Sequence, residues 1–153
     1  MAKDSRFLTT LRIEKIGRRR WRLTAPLLYR SRALGRTIEV PKGFQTDLVS
    51  ISQIPLLPWL LGGRADRAGV VHDYLYQHGK IDGREIEQDL ADWVFREAAE
   101  ATGVPPWARW MLYRGVQLFG GRTWRRYRRG NSPRRRGRES PKIPPRRGSR
   151  EAP

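Results

Sequence analysis

Asp66-Arg67-Ala68-Gly69-Val70-Val71-His72-Asp73-Tyr74-Leu75-Tyr76-Gln77-His78-Gly79 is where the apolar spacing changes character. Before it, apolar residues alternate. From here on they recur at helical spacing. Val70, Val71, Tyr74 and Leu75 give one apolar face, which predicts a helix over 66–77 with His78-Gly79 as its stop. Upstream, Phe7, Thr9, Leu11 and Ile13 alternate imperfectly with Leu8, Thr10, Arg12 and Glu14, predicting a strand. Trp21 and Leu23 predict a second strand, resumed at residues 27–29 after Pro26. Ile38 and Val40 predict a third, stopped by Pro41 and Gly43. Downstream, Asp82 is a candidate N-cap for a helix over 83–102. Pro105 or Pro106 opens another, reaching Phe119 with Gly120-Gly121 as its stop. Strands followed by helices predict an α+β fold: a small N-terminal antiparallel sheet packed with about three C-terminal helices.

The chain has 153 residues, 32 Lys+Arg against 15 Asp+Glu, a formal charge of +17 and no cysteine. It is neither a disulfide scaffold nor a Cys-ligated zinc module. Residues 122–153 carry 13 Lys+Arg and 2 Asp+Glu, a net of +11. The last twenty residues are too poor in apolar side chains to offset ordering entropy. The reading is one folded domain over 1–124 and a disordered Arg/Pro/Gly/Ser-rich tail over 125–153. Arg125, Arg126, Arg128, Arg129, Arg134, Arg135 and Arg136 are candidate contacts to nucleic acid or another polyanion, with Trp124 and Tyr127 placed to stack on bases.

The longest apolar run, residues 54–61, is broken by Pro55 and Pro58. It is far shorter than the roughly 20 residues a bilayer span needs. Its apolar centre (Leu56, Leu57, Trp59, Leu60 and Leu61) either folds over the core or meets a phage structural protein or a membrane surface. The charged start, residues 1–6, leads into no apolar core, so no secretory signal is expected. The expected location is the host cytoplasm or a virion.

On the first helix, His72 and Tyr76 are four residues apart and share a face. Asp73 lies about 100° from His72 and about 60° from Tyr76. An imidazole can serve as a general base near neutral pH, and a carboxylate can ligate a hard cation or orient its neighbour. Asp47, at the exit of the third strand, is a second candidate carboxylate, or else a turn acid satisfied by backbone N–H groups. On the second helix, Asp89, Asp92 and Arg96 gather opposite a wide apolar arc that includes Trp93. They form either a solvated face or one turned toward His72. On the third, Arg114 lies amid Trp107, Trp110, Met111 and Leu118. It either pairs with Asp89 or Asp92 in the interior or carries its head to water.

Val40-Pro41-Lys42-Gly43-Phe44-Gln45-Thr46-Asp47, Val71-His72-Asp73-Tyr74-Leu75-Tyr76, Arg84, Ala91-Asp92-Trp93-Val94-Phe95 and Gly103-Val104, in that order, resemble the bacteriophage and prophage family called domain of unknown function 1353. The resemblance spans roughly residues 25–124 and implies phage origin without supplying an activity. After Thr-Asp the family reads Ser-Ile/Val-Pro. Here Ser50-Ile51-Ser52 stands instead, with proline delayed to Pro55.

The helix pair alone, His72-Asp73-x-x-Tyr76 followed by Asp92-x-x-Phe95, is similar to the catalytic helices of small phospholipases A2. That resemblance implies His72 as the base that activates water and Asp73 as a calcium ligand. Asp92 would orient the imidazole, with Tyr76 supporting the network. The readings carried forward are a metal-assisted hydrolase using His72, Asp92 and Tyr76, with Asp73 and Asp47 on a divalent cation; a non-catalytic virion, tail or assembly component; and a nucleic-acid-binding regulator acting through its tail.

Overall fold

The computed structural model describes residues 5–48, 61 and 63–130. Six strands come first: β1 (Arg6–Phe7), β2 (Ile13–Gly17), β3 (Arg20–Leu23), β4 (Leu27–Ser31), β5 (Arg36–Val40) and β6 (Gln45–Thr46). Then come helix α1 (Asp66–His78), a hairpin of β7 (Lys80–Ile81) and β8 (Arg84–Glu85), helix α2 (Gln88–Ala101) and helix α3 (Pro106–Gly130). The architecture is α+β, as the alternation-then-helix pattern predicts.

The strands form two small antiparallel sheets, ordered β1-β4-β5 and β2-β3-β6. In the first, Leu27 pairs with Val40 and Tyr29 with Ile38, and all four are buried. Period-two alternation thus puts one row of side chains against the helices. The expected first strand is interrupted between Phe7 and Ile13. Its ends pair in different sheets, Phe7 with Tyr29 and Ile13 with Leu23. The Thr9 hydroxyl bridges that crossing. It donates to the Pro26 carbonyl at 3.2 Å and accepts the Leu28 N–H at 2.9 Å.

Helix α1 ends at Gly79, whose φ of 58° is left-handed and whose N–H bonds the Leu75 carbonyl. Asp82 is not the N-cap of α2. Asp82 and Gly83, at φ 50° and 77°, form the two-residue turn of the β7–β8 hairpin, the role Asp-Gly pairs take between short strands. The second helix therefore begins at Gln88, five residues later than the spacing suggests.

Helix α3 does not stop at Gly120-Gly121 but continues to Gly130. A Cβ on Gly120 would lie 2.3 Å from Tyr76 Oη. That glycine serves close approach of α3 to α1 and does not terminate the helix. Residues 125–130, assigned to the tail by composition, are helical. Trp124 and Tyr127 pack against the core.

The core lies between the β1-β4-β5 sheet and the three helices, with α2 touching α1, α3 and the sheet. Ala91, Val94, Phe95, Ala98 and Ala99 are fully buried. Trp93, expected on the apolar arc, is 45 % exposed.

Candidate functional site

Asp92 lies on the buried side of α2, fully shielded from solvent, and faces α1. Its Oδ1 is 3.1 Å from His72 Nε2 and accepts a 2.5 Å hydrogen bond from the Tyr76 hydroxyl. The four-residue spacing of His72 and Tyr76 brings both to one carboxylate oxygen, with ring centroids 4.1 Å apart. Phe95, one turn after Asp92, packs against the imidazole, with ring centroids 4.7 Å apart. His72 is itself buried. Asp92 Oδ2 has no hydrogen-bond partner among the described residues. Burial and the Asp92 carboxylate both push the Tyr76 hydroxyl well above the ordinary phenol range, so it remains a donor.

This arrangement selects a tautomer. A carboxylate oxygen opposite Nε2 favours the imidazole proton there, between the two groups. His72 and Tyr76 thus share a face as their spacing predicts, and Asp92, whose direction periodicity left open, meets them there.

Asp73 points elsewhere, toward the end of β6. It accepts a hydrogen bond from the Thr46 hydroxyl. Thr46 Oγ1 in turn accepts the Leu48 N–H at 3.2 Å, in a turn where Leu48 has a left-handed φ of 54°. Burial pushes the Asp73 carboxyl up to about 6. The Thr46 hydroxyl, His72 and the Leu48 N–H pull against that rise, and the Asp47 charge adds to it.

Asp47 and Asp73 are thus electrostatic neighbours. Among the described residues, however, no group of three or more His, Asp or Glu side chains could hold a metal ion. Asp73 already serves Thr46 and Leu48. The described side chains do not by themselves make a divalent-cation site. Beside this turn opens a cleft of about 290 Å³ lined by Arg20, Gln45, Thr46, Asp47, Gln77 and Tyr127.

The remaining candidates separate. Asp89 and Arg96 are exposed, and Arg96 lies 5.1 Å over Trp93 and 5.7 Å over Tyr113. Arg114 is exposed, so no interior ion pair joins it to Asp89 or Asp92. The reason is that α3 buries Ala108, Leu112 and Val116, leaving the tryptophan face outward. Arg125, Arg126 and Arg129 are exposed on the last turns of α3. Arg128 turns inward and donates to the Tyr76 carbonyl at 2.6 Å and the His78 carbonyl at 3.1 Å, capping α1. Trp124 meets the Tyr76 ring edge-on at 5.1 Å. Arg134, Arg135 and Arg136 lie outside the described residues, as do Leu56, Leu57, Trp59 and Leu60. Leu61 is buried in the core.

One organising carboxylate escaped the sequence reading. Glu97 of α2 is buried. It accepts the Tyr29 hydroxyl at 2.8 Å and the backbone N–H groups of Arg32 and Ala33 at 3.0 and 2.8 Å. It ties the β4–β5 turn to the helix that carries Asp92. The available signal was an acid among Val94, Ala98 and Ala99 on an otherwise apolar face.

No curated protein and no solved structure matches this chain. A family model, described as a protein of unknown function (DUF1353), matches residues 21–116, which run from within β3 into the first half of α3 and include every residue of the His72 cluster. The chain belongs to that family.

Proposed function

We propose that this protein is a hydrolase in which His72 is the general base and Asp92 and Tyr76 hold it in register. The observation that carries this reading is the shared Asp92 oxygen, 3.1 Å from His72 Nε2 and 2.5 Å from the Tyr76 hydroxyl. In such a site a water gives a proton to the imidazole while its oxygen bonds to the carbonyl carbon or phosphorus of an ester, amide or phosphodiester. The proton then passes to the departing oxygen or nitrogen. Asp92 stabilises the imidazolium formed on the way. The nearby cleft is lined by Thr46, whose hydroxyl donates to Asp73, the residue that follows His72 on α1.

The experiment is turnover of a panel of chromogenic esters, amides and phosphodiesters by the purified full chain and by His72→Gln, with thermal midpoints for both. Turnover lost with a midpoint within a few degrees supports the base. No turnover of any panel member by the unaltered protein rejects the reading.

A second reading has its own observation. His72 is 1 % exposed and Asp92 fully buried, as expected of a polar network that fixes helix packing in a non-catalytic phage assembly component. Under it, His72→Gln lowers the midpoint strongly and no hydrolysis accompanies the folded protein.

A further inference from the structure

Helix α3 presents an outer face divided along its length. Trp107, Trp110, Met111 and Leu118 are exposed, Trp110 by 60 % and Leu118 by 69 %. At 100° per residue they lie within about 60° of the Trp107 direction, opposite the buried Ala108–Leu112–Val116 side. Arg114, Arg122, Arg125 and Arg129 are exposed within the same arc. The N-terminal half of the face is thus mainly apolar and the C-terminal half cationic. The helix holds seven arginines and no acid.

We infer that this face docks on an anionic phospholipid surface, with the helix lying in the plane of the interface. Tryptophan, methionine and leucine side chains enter the headgroup boundary, while the arginines meet lipid phosphates. The charge selects this occupant. Two copies of a helix with no acid repel each other, which disfavours a homodimer through this face. Single-stranded nucleic acid calls for aromatics interleaved with cations along a groove. Here the exposed tryptophans sit mainly apart from the arginine cluster, and Met111 and Leu118 provide no stacking plane. Nor does α3 span a membrane: no helix among the described residues is long and apolar enough.

The test is co-sedimentation of the full chain with vesicles of phosphatidylcholine and phosphatidylglycerol in equal parts, against vesicles of phosphatidylcholine alone. The unaltered protein should partition at least about tenfold more onto the anionic vesicles and keep part of that binding at high salt. Trp107→Ser/Trp110→Ser/Leu118→Ser changes only exposed side chains and leaves every arginine in place. It should lose the salt-resistant part, about tenfold or more. Should that variant fail to fold, Trp107→Phe/Trp110→Phe keeps the face apolar. Quenching of tryptophan emission by brominated lipid should then fall while binding persists. Equal partition of the serine variant, unchanged quenching in the phenylalanine variant, or preferential loss of single-stranded oligonucleotide binding would each overturn the proposal. So would a dimer that the serine substitutions dissolve without altering vesicle binding.

Discussion

Gly120 of α3 lies directly against the phenol of Tyr76. A Cβ there would be 2.3 Å from the hydroxyl oxygen and 3.1 Å from Cζ. The glycine therefore sets how closely α3 approaches the helix whose Tyr76 hydroxyl steadies Asp92. Gly120→Ala should cost about 1–3 kcal/mol, because either α3 retreats or the Tyr76–Asp92 hydrogen bond is displaced. Chemical denaturation of Gly120→Ala, Tyr76→Phe and the double variant checks this. The double variant should be more stable than the sum of the singles allows, since removing the hydroxyl removes the worst overlap.

Asp92 is the acceptor on which His72 and Tyr76 both depend. Asp92→Ala leaves two buried polar groups facing a cavity and should destabilise by about 3–5 kcal/mol. Asp92→Asn keeps the shape and should cost less. In the proposed hydrolase it presents the wrong partner to Nε2, so turnover should fall by a hundredfold or more in a folded protein. Urea titration together with kcat separates the two effects. Equal stability of Asp92→Ala and the parent protein would contradict the observed burial.

The pH dependence of Asp73 has a definite sign. Its folded-state value, about 6, lies above the ordinary 3.8. Folding therefore favours the protonated carboxyl, and its contribution is fully present below about pH 4 and lost as pH rises through about 6. Asp73→Asn, which cannot ionise, should be the more stable protein at pH 7–8, by on the order of 1–3 kcal/mol. The gap should close toward pH 4. Thermal midpoints of both proteins across that range, in the presence of a chelator, test the sign. A variant less stable at pH 8 than at pH 4, relative to the parent, would refute it.

Glu97 satisfies three donors from the β4–β5 turn region. Glu97→Gln sets an amide N–H₂ against one of those donors and should cost about 1–3 kcal/mol. Amide exchange at Arg32 and Ala33 should accelerate more than at β2, which Glu97 does not touch. Uniform acceleration across the protein would mean that Glu97 supports global stability only.

Much of this site is a matter of local spacing. The span of α1 follows from apolar periodicity and from Gly79, whose left-handed φ suits glycine. The meeting of His72 and Tyr76 on one face follows from their four-residue separation. The paired rows of β4 and β5 follow from alternation.

Other elements were decided by partners distant in the chain. Asp89 and Asp92 look alike in a helical wheel, yet only Asp92 turns inward, because His72 and Tyr76 of α1 meet it there. Gly120-Gly121 reads as a stop, yet α3 runs through it, because the missing side chain admits Tyr76 and the later turns pack the half-buried Trp124 and Tyr127 against the core. Arg128, one more charge in a basic run, caps a helix that precedes it by fifty residues. Sequence by itself determined the elements and the chemical groups they carry, because period and turn chemistry act over a few residues. Only the tertiary structure decided which carboxylate, which glycine and which arginine serve the interior, because desolvating a polar group is tolerated only where a distant segment supplies its hydrogen bonds.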